Sequence, residues 1–289
     1  MTYELNDKVK NLIPYDAVAG NYEIRLDANE SFLDSGEALR DQFFSALSGV
    51  AFNRYPDPMA SELCKKFAKF YGIDPGSVVA GNGSDELITV ILGAFLRPGD
   101  RVLTFSPDFS MYRFYGTIYE KTNLLAEKED DLILTAGDVM DAVSRNHPDA
   151  VILSNPCSPT SLVMSREDVL HIVENTDALV ILDEAYMDFS DQSIIKVAEK
   201  YDNLILLKTC SKALGLAAVR LGFAVSSPKI VKALHSVRSP YNVNALTQAV
   251  GTVIFSNSDY IKGAIEEIKK SRDERSEERR VGKECRSRW

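Results

Sequence analysis

The chain has 289 residues and an ordinary globular composition, with 45% hydrophobic and 26% charged residues. It carries 33 basic and 42 acidic side chains, and the resulting net charge of −9 disfavours binding to nucleic acid or to an anionic membrane surface. No apolar run approaches the roughly 18 residues of a membrane-spanning helix, and the first residues lack the apolar core of a signal peptide. We therefore expect a cytoplasmic protein that binds neither nucleic acid nor membrane.

Cysteine and histidine are sparse and scattered along the chain. No two of the four cysteines form a C-x-x-C pair, and the three histidines lie far apart in sequence. A zinc site needs thiolate or imidazole ligands at short spacing. We expect no metal site and no disulfide framework.

From about Ser61 the chain alternates amphipathic segments with short apolar segments. Helices are predicted over 61–72, 83–96, 110–120, 133–145 and 165–176, and strands over 77–81, 100–107, 149–156, 178–186, 203–212 and 219–226. The apolar segments are continuous runs of Val, Ile and Leu, which is typical of strands buried on both faces of a parallel sheet. Alternating strands and helices predict an α/β fold. Residues 1–50 show no regular pattern.

The C-terminal segment 276–289 departs from the rest of the chain. It has no apolar periodicity, and it is basic in a chain that is otherwise acidic. It is either a solvated tail or a segment foreign to the protein. We favour the second interpretation and leave the segment out of the fold prediction.

Polar side chains follow three of the predicted strands at the point where each strand ends. Asn155 follows one strand, Asp183 the next, and Ser211 with Lys212 the third. The spacings are 183 − 155 = 28 and 212 − 183 = 29 residues, close to the roughly 30 residues of one strand–helix–strand unit. We expect these side chains at the same carboxyl edge of neighbouring strands, where ligands of open α/β sheets bind.

A glycine-rich turn, GNGSDELITVIL at 81–92, leads from a strand into a helix. Ser84 and Asp85 fall in the first helical turn, where free backbone N–H groups can hold phosphate. No Gly-Lys-Ser/Thr closes the turn, so it is not a Walker A loop. Taken alone, the pattern is better explained by an ordinary glycine turn before a helix that Ser84 or Asp85 caps.

Seven segments occur in a characteristic order: RLDANES, RYPDP, GNGSDE, SNPCSPTS, VILDEAYMDF, TCSKALGLAAVRLGFA and SVRSPYNVN. Together they resemble the fold-type I aminotransferases that use pyridoxal 5′-phosphate, and within these the histidinol-phosphate aminotransferase branch. The resemblance runs from about Leu12 to about Asp273. It implies a mostly parallel central sheet flanked by helices, with part of a small α+β domain.

The resemblance assigns chemical roles to the residues at the strand ends. It implies that Lys212 forms the Schiff base with the cofactor aldehyde and later moves the substrate α-proton. It implies that Asp183 pairs with the pyridine nitrogen and keeps it protonated, which makes the ring an electron sink. Tyr186 and Asn155 would reach the phenolic oxygen of the ring.

Four further residues match the cofactor phosphate site of the family. Arg220 matches the arginine that clamps the phosphate, a task that suits a planar guanidinium. Ser211 would add a hydroxyl, and Ser84 and Asp85 would add backbone N–H groups at the start of the helix.

Three aromatic residues complete the implied site. Phe109 stands where the family stacks an aromatic ring, commonly tyrosine, on the cofactor. Tyr55 matches a residue that reaches the phosphate of the partner subunit, which implies a homodimer. Tyr15 matches, through a short and weak motif, a tyrosine near the substrate.

The sequence departs from the family pattern in two places. The usual N-P-x-N-P-T-G is NPCSPTS here, with Ser158 and Ser161 in place of Asn and Gly; we expect a local change of the loop that keeps Asn155 in place. The family also continues beyond this chain, and the arginine that binds the substrate carboxylate has no match here. Arg238 does not correspond to it by position.

We therefore expect a cofactor domain at 51–250, an N-terminal arm and part of a small domain at 1–50, and the start of a C-terminal small domain at 251–275. The expected reaction is amino transfer from histidinol phosphate to 2-oxoglutarate, a step of histidine biosynthesis. An aromatic or broad-specificity aminotransferase, a phospho-amino-acid decarboxylase of the same fold, and an incomplete chain with little activity remain alternatives. A cofactor-binding module of a transcription regulator would need a basic DNA-binding domain in front, for which the first fifty residues are too few and not basic.

Overall fold

The computed structural model describes residues 2–10, 12, 20, 22, 23 and 26–286, with side chains through residue 276. Tyr15 lies outside the described residues. The helices are α1 (Asp7–Lys10), α2 (Ser35–Ala38), α3 (Arg40–Ser48), α4 (Ser61–Tyr71), α5 (Gly83–Ala94), α6 (Met111–Ile118), α7 (Ala136–Asn146), α8 (Arg166–Glu174), α9 (Pro228–Val237), α10 (Ala245–Ser256) and α11 (Ser258–Arg286). The strands are β1 (Val78–Gly81), β2 (Arg101–Ser106), β3 (Thr122–Glu127), β4 (Ala150–Ser154), β5 (Leu179–Asp183), β6 (Leu204–Thr209) and β7 (Gly222–Ser226).

The strands form a single seven-stranded sheet in the order β1-β7-β6-β5-β4-β2-β3. The strands from β6 to β3 in this order pair in parallel, whereas β7 runs antiparallel to both β6 and β1. The predicted α/β class and the mostly parallel sheet flanked by helices are confirmed. The antiparallel direction of β7 could not be read from an apolar run, because such a run looks the same in both directions.

Both faces of the sheet are covered by helices. In β5, Val180 and Leu182 belong to one buried hydrophobic cluster and Ile181 to the other, because successive side chains of a strand point to opposite faces. The helices α4, α7, α8 and α10 contribute to the first cluster, and α5, α6 and α9 to the second. This double burial explains the unbroken Val/Ile/Leu runs of the central strands.

Local sequence signals set the ends of several helices. Thr135 caps α7 through a reciprocal pair of bonds with Asp138, a capping box in which each residue satisfies a backbone N–H of the other. Helix α4 ends at Gly72, whose φ of +68° is a left-handed conformation that glycine adopts at little cost. The end of α4 coincides with the predicted one, whereas α7 begins at Ala136, three residues after the predicted start.

Some elements were not predicted. Strand β3 lies at the edge of the sheet and its side chains are partly exposed, so TNLLAE lacks the apolar run that marks the central strands. Helix α3 falls within residues 1–50, where no pattern was recognised, and buries only Phe43. With one buried side chain, α3 has no apolar periodicity from which its packing against the core could be predicted. No helix among the described residues is both long and apolar enough to cross a lipid bilayer.

The phenylalanine cluster between α4, β7 and α10 gives a stability prediction. Phe67 is 1% exposed, and its ring stacks on that of Phe223 with centroids 3.9 Å apart. Replacing Phe67 by Ala should lower the free energy of unfolding by about 3–5 kcal/mol, because transfer energy is lost and a cavity remains. Urea denaturation followed by circular dichroism measures this change.

The matched control is Phe44→Ala on α3, since Phe44 is 66% exposed. It should change the free energy of unfolding by less than about 0.5 kcal/mol. Equal effects of the two substitutions would contradict the assignment of Phe67 to the core.

Candidate active site

The carboxyl ends of β4, β5 and β6 bring the predicted residues to one edge of the sheet. Ser154 is in register with Asp183, and Asp183 with Leu207 on the next strand. The backbone N–H of Asn155 also donates to the carbonyl of Asp183 across 2.9 Å. The residues that follow these strands thus begin from adjacent positions, as the spacings of 28 and 29 residues indicated.

Asp183 is a buried carboxylate in this edge, with only 5% of its surface exposed. The Tyr112 hydroxyl donates to Oδ2 across 2.8 Å, and the backbone N–H of Ala185 donates to Oδ1 across 3.0 Å. Burial raises the pKa of Asp183 to about 6, and the two hydrogen bonds oppose that rise. Above that pH the site holds a desolvated negative charge that can receive a proton donor such as a protonated ring nitrogen.

Lys212 follows β6 and is half-buried beside Tyr186. Its Nζ donates to the carbonyl of Ala28 across 2.6 Å and lies 5.7 Å from the centre of the Tyr186 ring. The Tyr186 hydroxyl in turn accepts from the Asn29 amide across 3.1 Å. An N-terminal segment therefore holds both the lysine and the tyrosine in position.

Lys212 and Tyr186 open onto a cavity of about 510 Å³. Its walls come from the N-terminal segment 29–32, the loop after Asn155 and the helix α11. Such a volume suits a small organic substrate next to the lysine amine.

A second group of residues forms an anion site at the start of α5. The Arg220 guanidinium lies 3.1 Å from an Asp85 carboxylate oxygen and 3.4 Å from the Ser211 hydroxyl. The twelve-residue helix α5 begins at Gly83, so the free N–H groups of its first turn, which includes Ser84, are available to an anion. Asp85 and Arg220 are both partly exposed, so their ion pair is weak and can open for an anionic ligand.

Two glycines allow the backbone to come close at this anion site. A Cβ on Gly83, which has φ of +84°, would lie 2.9 Å from a guanidinium nitrogen of Arg220. A Cβ on Gly222 would lie 2.4 Å from the backbone nitrogen of Ser84. Glycine is therefore required at Gly222 by the backbone contact, and it is favoured at Gly83 by the left-handed φ.

Asn155 holds the loop that follows β4. Its side-chain oxygen accepts from the Met164 N–H across 2.9 Å, and its amide nitrogen donates to the Met164 carbonyl across 3.1 Å. The amide nitrogen carries a second hydrogen that can serve a ligand. Sequence reasoning gave Asn155 a ligand-binding role and missed this loop-closing role.

Phe109 and Tyr55 are placed differently from each other. Phe109 precedes α6, is partly exposed and packs edge-on against Tyr112 with ring centres 5.4 Å apart. Tyr55 is 80% exposed and stacks on Tyr241 at 4.5 Å, outside the strand-end group. A large aromatic surface in water is typical of a surface that meets another chain.

Three residues that support the site were missed in the sequence: Tyr112, Asp108 and Ser154. Tyr112 bonds to Asp183, and Asp108 accepts a short hydrogen bond from the Ser154 hydroxyl at the end of β4. The signal for Tyr112 was its position in the first turn of the predicted helix 110–120, three residues after Phe109.

A buried ionic network lies behind the turn that carries Tyr186. Lys208 of β6 donates to Asp188 across 2.9 Å and lies 3.8 Å from Glu184, and the Tyr71 hydroxyl also donates to Asp188. The three charged side chains are at most 7% exposed. Among the described residues, no group of three or more His, Cys, Asp and Glu side chains is arranged to hold a metal ion.

Comparison with known proteins places this geometry in a family. The profile described as aminotransferase class I and II matches residues 21–282. The chain belongs to the class I and II aminotransferase family. The predicted resemblance is confirmed, and the matched region extends into the segment 276–289 that the fold prediction had left out.

Relatives and solved structures agree with this membership. A histidinol-phosphate aminotransferase of Clostridium novyi is 38% identical over 260 residues, which are 90% of this aminotransferase chain and 73% of that protein. The structure of histidinol-phosphate aminotransferase from Sinorhizobium meliloti, solved in complex with pyridoxal-5′-phosphate, matches with a TM-score of 0.79 at 24% identity, covering 85% of this chain and 67% of that one. L-threonine-O-3-phosphate decarboxylase from Porphyromonas gingivalis matches with a TM-score of 0.67 at 23% identity, covering 77% and 66%. The two structures confirm the fold.

The close contact at Gly222 generates a prediction. In Gly222→Ala the new methyl group would meet the backbone of Ser84, so β7 and the start of α5 must separate. We expect a loss of about 1–3 kcal/mol in the free energy of unfolding and weaker binding of inorganic phosphate at the start of α5. Thermal melts with and without phosphate measure both effects.

Gly263→Ala is the control for this substitution, because nothing lies within 4 Å of a Cβ at Gly263 on α11. It should keep or slightly raise stability, since Ala favours helix over Gly. A phosphate-dependent rise in melting temperature that is the same in Gly222→Ala as in the unchanged chain would contradict the assigned anion site.

The loop after Asn155 generates a second prediction. Ser161 has φ of +62°, a left-handed conformation that costs a non-glycine residue about 1 kcal/mol, and it stands where the family pattern has glycine. Ser161→Gly should therefore raise the free energy of unfolding by about 0.5–1 kcal/mol, measured by urea denaturation. Ser158→Gly in the same loop relieves no left-handed φ and should not stabilise; stabilisation by both or by neither would contradict the strain argument.

Proposed function

We propose that this chain is a pyridoxal 5′-phosphate-dependent aminotransferase that transfers the amino group of histidinol phosphate to 2-oxoglutarate. The observation that carries the reaction class is the arrangement of Lys212 and Asp183 at the ends of adjacent strands in a chain of this family. The choice of amino donor is supported by curated relatives of that name, such as the one that is 38% identical.

The residues present fit the cofactor at both of its ends. Asp183, buried and anionic, suits the protonated pyridine nitrogen. Arg220, Ser211 and the free N–H groups of Ser84 and its neighbours suit the phosphate. The close approach permitted by Gly83 and Gly222 leaves the backbone, rather than side chains, to form the wall of the phosphate site.

When bound, pyridoxal 5′-phosphate supplies an aldehyde that reacts with amines and a ring that takes up electrons from the substrate α-carbon. Asp183 would hold the ring nitrogen in its protonated form, since its carboxylate is ionised above a pKa of about 6. Lys212 would hold the aldehyde carbon through Nζ, which must leave the Ala28 carbonyl to reach it. The same amine would serve as the base for the proton of the substrate α-carbon.

Three other side chains orient the ring. Tyr186 and Asn155 offer a hydroxyl and an amide to the phenolic oxygen, and Asn29 holds the Tyr186 hydroxyl in position. Phe109, partly exposed at the start of α6, offers a flat apolar face for stacking. Phe in place of the usual Tyr keeps this face and removes a polar group.

The exposed Tyr55 bears on the oligomeric state of the enzyme. We infer a homodimer in which Tyr55 reaches the phosphate of the partner subunit, and its 80% exposure supports that role. We also infer a cytoplasmic location, a cofactor domain at 51–250 flanked by small-domain segments at 1–50 and 251–275, and a substrate-contacting role for Tyr15.

The test is covalent trapping of the cofactor on the purified chain. Incubation with pyridoxal phosphate should give a visible absorption band, and borohydride reduction with peptide mapping should place the adduct on Lys212. Lys212→Ala should lose the band and lose transamination by at least about 10³-fold, because the nucleophile and the base are the same residue. Lys229→Ala removes an exposed lysine on α9 and should leave both unchanged.

Outcomes that contradict the proposal are specific. Adducts spread over surface lysines, or transamination by Lys212→Ala, would overturn the assignment of Lys212. A reducible adduct on Lys212 combined with release of carbon dioxide, without amino transfer to 2-oxoglutarate, would favour the decarboxylase alternative.

A further inference from the structure

We propose that Tyr112 is a positioning residue that orients the Asp183 carboxylate and keeps it anionic for the cofactor ring nitrogen. This inference rests on the proposed function, since it assigns Asp183 to the ring. It adds a residue that neither the sequence motifs nor the family resemblance indicated.

Tyr112 and Asp183 form a hydrogen bond between two buried side chains. Tyr112 is 1% exposed, and its hydroxyl lies 2.8 Å from Oδ2 of a carboxylate that is itself buried. The other oxygen, Oδ1, is held by the Ala185 N–H across 3.0 Å. The two donors come from different elements, the helix α6 and the turn after β5. They fix the plane of the carboxylate while each oxygen keeps a lone pair for a further donor.

The groups around Asp183 act on its protonation state in opposite directions. Desolvation and the negative charges of Asp108 and Asp85 all favour the protonated form of Asp183. The Tyr112 hydroxyl and the Ala185 N–H favour the ionised form, because both donate to the carboxylate. Asp108 accepts hydrogen bonds from the Ser154 hydroxyl and the backbone N–H of Phe109, and it acts on Asp183 through its charge.

Tyr112 and the proposed ring-stacking residue Phe109 lie one helical turn apart. Phe109 directly precedes α6 and Tyr112 lies three residues later, with their ring centres 5.4 Å apart. The same turn therefore carries a partly exposed aromatic ring and the hydroxyl that donates to the buried carboxylate. A displacement of α6 would disturb ring stacking and the ring-nitrogen contact together.

The test is Tyr112→Phe, which removes one oxygen and keeps the buried ring. In the cofactor-free chain with ¹³C-labelled aspartate, the Asp183 signal should titrate with a midpoint near 6, and in Tyr112→Phe this midpoint should rise by about one pH unit. At pH 7 the dissociation constant for pyridoxal phosphate should increase by about three- to tenfold. The kcat of transamination should fall by a similar factor while KM stays within twofold, because Tyr112 does not touch the substrate.

Two controls isolate the hydrogen bond from packing. Tyr119→Phe removes a hydroxyl just after the last turn of the same helix and should leave the titration midpoint and cofactor affinity unchanged. In an Asp183→Asn background, Tyr112→Phe should have no further effect on cofactor affinity, since the group on which it acts has lost its charge.

The proposal would be overturned if Tyr112→Phe altered only the melting temperature, with the titration midpoint unchanged to within about 0.3 pH unit and the cofactor affinity to within twofold. An additive effect of the two substitutions would overturn it as well. If the unchanged chain forms no adduct on Lys212, the proposed function fails, while the titration of the cofactor-free chain still decides whether Tyr112 controls Asp183.

Discussion

The parallel pairing of β4, β5 and β6, buried on both faces, is the constraint on which the site depends. A strand covered on both sides carries apolar side chains along most of its length, so its polar residues collect towards its end. Parallel direction then brings three such ends together, and this is how residues 28 and 29 positions apart come to share one edge. The anion site at the start of α5 joins this edge because β7 packs against that helix through Gly222.

The cost of this arrangement is a carboxylate that has lost most of its water. Asp183 would favour its neutral form if burial acted alone, and a neutral carboxyl could not hold a proton on a ring nitrogen. Two directed donors offset that tendency, one supplied by the turn that follows the strand and one by a neighbouring helix. The buried network of Lys208, Asp188 and Glu184 joins residues on both sides of Tyr186 to β6. Ion pairs as well as packing thus hold the turn against the sheet.

The sequence was informative where one local signal sufficed. The central strands were visible as apolar runs, and α4 was visible through its periodicity and terminal glycine. The strand-end spacing placed Asp183 and Lys212 together. Strand β3 was not predicted, because an edge strand is half exposed and lacks a continuous apolar run. The hydrogen-bond partners of Asp183 and Lys208 were not predicted either. Tyr112 and Asp188 are far from them in sequence, and only the folded chain brings these groups within hydrogen-bond distance.

The sheet also acts as a partition between two cores. The helices α5 and α6, which contribute the anion site and the Phe109–Tyr112 pair, pack on one face, whereas α4, α7, α8 and α10 pack on the other. Substitutions on opposite sides share few contacts, so their effects on stability should combine nearly independently.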